Sequence, residues 1–102
     1  MINKQIESLF PLIREYFSSQ PVEKAWIFGS CSRGENDSNS DLDILVRYTQ
    51  GQTISLFRIS KIMSGLSRTI GMKVDLVEEN KLLPFARKSV DRDKKLIYER
   101  AS

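Results

Sequence analysis

The sequence predicts an α/β domain, a small mixed β-sheet with helices packed against it, on three observations. Apolar residues recur at helical spacing in two long stretches, they alternate or run together in short segments between those stretches, and Gly, Pro and Ser punctuate the joins. Ile2, Ile6, Leu9, Phe10, Ile13 and Phe17 make residues 2–18 an amphipathic helix closed by Ser18-Ser19-Gln20-Pro21, with Pro11 marking either a kink or a restart. Val22–Phe28 reads as the first strand, residues 30–34 as a short helix, residues 41–48 as the second strand and Thr49-Gln50-Gly51-Gln52 as a turn. Leu56, Ile59, Met63, Leu66 and Ile70 give a second long helix over residues 53–70, ended by Gly71, in which Met63 is core filler. A strand over residues 73–77, a short helix over 80–90 and a final strand over 95–100 complete the pattern.

At 102 residues the chain is expected to form a single domain, residues 1–102, with no repeat or linker. Its one cysteine, Cys31, makes no disulfide within the chain, and the absence of histidine removes the usual zinc ligands and the usual general base. A nucleophilic role for Cys31 is disfavoured on the same ground. No stretch approaches a membrane span and residues 1–7 lack the basic-then-apolar order of a leader, so a cytoplasmic protein with no membrane partner is expected. Asn36-Asp37-Ser38 is then a chance match to a glycosylation acceptor.

Charge is unevenly spread around a net +3. Residues 81–102 carry Lys81, Arg87, Lys88, Arg92, Lys94, Lys95 and Arg100 against Asp91, Asp93 and Glu99, a basic stretch open to RNA, substrate phosphates or an acidic partner. No aromatic interleaving supports single-strand stacking, Phe85 and Tyr98 read as packing residues, and a solvated face explains the charges equally well.

The chemistry is concentrated in residues 29–46. Gly29-Ser30 follows the apolar Ala25-Trp26-Ile27-Phe28, so a strand leaves at a turn whose backbone N–H groups can face a phosphate. Asp41 and Asp43 then enter a second apolar run, and strand alternation sends both to one face while Leu42, Ile44 and Val46 face the core. Each piece alone is ordinary, a turn or a solvated strand face. Aspartate is however a poor strand former, so two of them inside an apolar strand, downstream of such a turn, point to a divalent-metal site for nucleotide chemistry.

Gly29-Ser30, Arg33-Gly34, Ser40-Asp41, Asp43 and Val46 together resemble the signature of the polymerase-beta-like nucleotidyltransferase superfamily, in its minimal single-domain branch. The resemblance implies a polymerase-beta-like fold and a third carboxylate on a neighbouring strand, which Asp75 supplies. It further implies Asp41, Asp43 and Asp75 as catalytic and metal-binding residues for two Mg²⁺ ions, with Mn²⁺ as a substitute. Gly29, Ser30, Arg33 and Ser40 become the nucleotide-binding residues. Minimal members commonly accompany a HEPN-type ribonuclease toxin, which implies an antitoxin that transfers AMP from ATP to a hydroxyl on that toxin. A non-catalytic module that masks its partner, or transfer to a small molecule or RNA end, is the alternative. A homodimer or a hetero-oligomer could supply contacts that larger relatives take from a second domain.

Overall fold

The computed structural model describes residues 2–37, 39–50 and 53–101. In chain order the elements are α1 (Lys4–Glu7), α2 (Phe10–Ser18), β1 (Val22–Phe28), α3 (Ser30–Arg33), β2 (Leu42–Tyr48), α4 (Leu56–Ile70), β3 (Val74–Glu78), α5 (Pro84–Asp93) and β4 (Lys95–Glu99), with a 3-10 turn at Glu79–Lys81. The strands form one sheet in the order β3-β2-β1-β4. β1 is antiparallel to both β2 and β4, while β2 and β3 run parallel with α4 between them in sequence. This is the expected small mixed sheet.

Both faces of the sheet are covered. On one, Ile13 and Phe17 of α2 and Leu66 of α4 pack with Val22, Ala25, Ile27, Leu42, Ile44 and Val46, all closed to solvent. On the other, Trp26 and Leu45 meet Val90 of α5, flanked by Phe28, Val77 and Leu82. Leu45 therefore explains why β2 reads as a continuous apolar run at Ile44-Leu45-Val46: a strand buried on two faces loses its alternation.

Local chemistry sets the element ends. Pro11 lies in the first turn of α2, where its missing N–H costs nothing, so the first helical segment restarts and does not kink. The Ser55 hydroxyl accepts the Arg58 N–H at 3.1 Å to start α4, and Gly71, at φ +73°, ends it by donating to the Ser67 carbonyl at 2.9 Å. Leu56 is 79% exposed, which corrects its place in the apolar stripe; Ile62 takes it, between Ile59 and Met63. The helix expected over 80–90 is displaced toward the C-terminus, because Pro84 opens it. Of the expected turn at 49–52, Gly51 and Gln52 lie outside the described residues, as does Ser38 of the Asn36-Asp37-Ser38 match.

The two aromatics read as packing residues part company. Tyr98 packs its ring 5.8 Å from Phe17, whereas Phe85 is 83% exposed on α5. Within the basic stretch, Arg100 ties strand to helix by donating to the Val22 carbonyl at 3.0 Å and the Phe17 carbonyl at 3.2 Å. Lys94 sits 5.1 Å from the Trp26 ring centre, and Arg87, Lys88 and Arg92 are exposed. Among the described residues no helix is long and apolar enough to cross a membrane.

Gly65 interrupts α4 for a packing reason: a Cβ there would collide with the Tyr16 hydroxyl, which crosses to donate to the Ile62 carbonyl at 3.0 Å. An alanine in an ordinary helix interior gains about 1 kcal/mol over glycine. Gly65→Ala is expected instead to lower Tm, the loss of the crossing hydrogen bond being worth about 1 kcal/mol. In a Tyr16→Phe background thermal denaturation should show the penalty shrinking.

Candidate active site

β1 ends at Phe28, and the chain turns at Gly29 with φ +71° and ψ −155° to enter α3. Glycine is required there twice over. The positive φ disfavours any side chain, and a Cβ would stand 2.6 Å from the Asp43 Oδ2. The Ser32 hydroxyl and N–H both donate to the Gly29 carbonyl, at 2.8 and 3.1 Å, locking the turn from inside the protein. Ser32 is the one buried polar residue among those described, and the motif reading passed over it. A serine three positions beyond a required turn glycine was its sequence signal.

Asp43 lies opposite Phe28 on β1 and opposite Asp75 on β3. Parallel pairing in exact register therefore brings together two carboxylates that the sequence separates by α4. Asp43 and Leu45 alternate with Ile44 along β2, so the carboxylate lies on the α5 side of the sheet. Asp41 precedes β2, which begins at Leu42, a correction of one residue to the expected strand start. Its carboxylate is 4.0 Å from the exposed Lys73 ammonium, a weak solvated pair.

Burial first, then the charges of Asp75 and Asp41, push the Asp43 carboxyl above the usual carboxylate range. Both other motif acids thus act on Asp43. Among the described residues no three acidic, cysteine or histidine side chains converge closely enough to form a metal-holding group. The donor chemistry still fits a hard divalent cation: carboxylate oxygens come from β2, β3 and the loop that leads into β2, and among the described residues Lys73 stands by Asp41 as a weak counter-charge.

The remaining motif residues are placed as follows. Arg33 donates from Nε to Glu35 at 2.7 Å and from Nη1 to Asp93 of α5 at 2.6 Å. The Ser40 hydroxyl accepts the Asp37 N–H at 2.9 Å, closing the loop that delivers Asp41. Cys31 is fully buried, its thiol 3.5 Å from the Asp41 carbonyl, and burial together with Asp43 pushes it up. A raised, enclosed thiol has little thiolate and no nucleophilic use.

Asp43 has a folded-state pKa above its unfolded value, so it favours folding at low pH, and that contribution is lost as pH rises through the folded pKa. Ionised Asp43 therefore opposes folding near neutrality. With divalent cations chelated at pH 7, Asp43→Asn should raise Tm by about 2–6 °C. The gain should vanish in thermal scans at about pH 3, below the ordinary carboxylate pKa.

Comparison with known proteins bears on the family and the fold. The family described as "Polymerase beta, Nucleotidyltransferase" matches residues 12–102. A Methanocaldococcus jannaschii chain provisionally named a protein adenylyltransferase is 40% identical over 78 residues, 76% of each chain. The protein adenylyltransferase MntA of Thermococcus cleftensis is 33% identical over 94 residues, 88% of this chain and 90% of that one. Among solved structures, one described as a minimal nucleotidyltransferase superposes with a TM-score of 0.75 at 28% identity, covering 93% and 95% of the two chains. A toxin–antitoxin structure with AMP-PNP shares the fold at TM-score 0.76 and 22% identity, over 89% and 73%. So does the complex of a tri-AMPylated Shewanella oneidensis HEPN toxin with its MNT antitoxin, at 0.63 and 18%, over 95% and 71%. The positive-φ glycine turn and the paired aspartates are thus carried on the fold such proteins share, and this chain belongs to the polymerase beta nucleotidyltransferase family, in its minimal branch.

Proposed function

We propose that this protein transfers AMP from ATP to a hydroxyl group of a partner protein, and that the partner is a HEPN-type ribonuclease toxin neutralised by the transfer. The carrying observation is Asp43 held in register with Asp75 beside a turn that only glycine can make. The relatives' names support the acceptor class, since two of them are named for protein adenylylation. The neighbouring toxin–antitoxin structures support the nucleotide and the partner, one containing AMP-PNP and another an AMPylated HEPN toxin.

Each residue has a defined task in this reading. The Gly29-Ser30 turn opens a helix, whose first N–H groups have no partner within it, and with the Ser30 hydroxyl it holds the terminal phosphates. Arg33 adds a guanidinium to the same group. Asp41, Asp43 and Asp75 would hold two Mg²⁺ ions, which when bound offset charge on the attacking and leaving oxygens. Ser40 keeps the Asp41 loop closed. Asp75, exposed on β3, takes the proton of the acceptor hydroxyl. The acceptor oxygen bonds to the α-phosphorus as the bond to pyrophosphate breaks, and pyrophosphate departs. An exposed base at an edge strand suits an acceptor as large as a folded protein.

The test is transfer of α-labelled ATP to a HEPN-type partner in the presence of Mg²⁺. Label should appear on the partner and fall to background with the Asp41→Asn, Asp43→Asn variant, whose circular dichroism stays native. Transfer by that variant at the wild-type rate would remove the acids from the mechanism.

A further inference from the structure

Asp93 is the last residue of α5, and its position there is electrostatically costly. A helix C-terminus carries partial negative charge, and acids are favoured at the opposite end. The side chain is also only 9% exposed, so desolvation adds to the cost. Its carboxylate nevertheless stays below the usual range, chiefly because Arg33 donates to it, with Arg92 assisting from 3.3 Å. The partner that makes the position tenable is thus the motif arginine of α3, three residues after Ser30, reached across sixty residues of sequence.

Among the described residues, Arg33 is held at two points. Glu35 takes Nε and Asp93 takes Nη1, so the guanidinium plane is fixed by carboxylates on separate parts of the chain. Glu35 lies only two residues from Arg33, in the same local segment. Asp93 is anchored elsewhere: α5 is seated through Val90 on Trp26 and Leu45, and the next residue, Lys94, closes on the Trp26 ring.

We infer that Asp93 is a positioning residue, which fixes the Arg33 guanidinium beside the Gly29-Ser30 turn in readiness for the nucleotide's phosphates. This rests on the phosphate role given to Arg33 in the proposed function. An unrestrained arginine side chain loses considerable rotamer freedom on gripping a phosphate, and a carboxylate that orders it beforehand removes much of that loss. Asp93 touches neither the nucleotide nor the reacting atoms. It acts through Arg33, and so belongs in the binding constant for ATP and not in the chemical step.

The experiment is a double-mutant cycle on ATP affinity, measured by calorimetry with Mg²⁺, together with KM and kcat for transfer. Asp93→Asn is expected to weaken ATP binding about tenfold with kcat within about threefold. Asp93→Glu, which keeps the charge and guards against a variant that fails to fold, should recover most of the affinity. Arg33→Ala should weaken ATP binding by itself, and adding Asp93→Asn to it should weaken binding no further. Unchanged or tighter binding in Asp93→Asn, or additive losses in the cycle, would overturn the inference while leaving the transferase intact. A wild-type protein that binds no ATP would instead strike at the proposed function.

Discussion

Like charges held together are what this small structure has to accommodate. Asp43 faces Asp75 across two parallel strands and feels Asp41 from the preceding loop, where an exposed lysine is the weak counter-charge of Asp41. A fold left to maximise its own stability would replace at least one of these acids. Instead the surroundings are arranged around them: Gly29 gives up its side chain to leave room for the Asp43 carboxylate, and Ser32 spends its hydroxyl on the Gly29 carbonyl. Stability is surrendered at the site and recovered in the two cores on either side of the sheet.

The second of those cores has a role beyond burial. α5 covers the same face of the sheet that carries Asp43, and it does so at Leu45. Its C-terminal residue then meets the motif arginine. One helix thus closes the apolar half of the face and braces the polar half. In a chain this short such double use is expected, because few residues are left over for support alone.

Most of this was legible in the sequence, and the reasons differ by element. The strands were readable because Val22–Phe28 and residues 42–48 are dense in β-branched and aromatic residues bounded by turn formers. Asp75 was readable as a lone acid in an apolar run, given the motif upstream. What escaped was tertiary. Leu56 fits the helical period of α4, yet the first turn of that helix leaves it exposed. Phe85 is apolar but sits on the outer side of α5, a choice of face that no local pattern reveals. The Arg33–Asp93 bond joins residues far apart in the chain, and in sequence Asp93 is one more charge in a charged helix.

Trp26 is the chain's only tryptophan, and its surroundings turn it into a built-in optical probe. The indole is nearly buried between Leu45 and Val90, with the Arg47 guanidinium 5.4 Å and the Lys94 ammonium 5.1 Å from the ring centre. Val90 and Lys94 belong to α5 and the residue after it, so indole emission depends on how that helix is seated. Any event that tightens or lifts α5 is therefore readable in the fluorescence of the unlabelled protein.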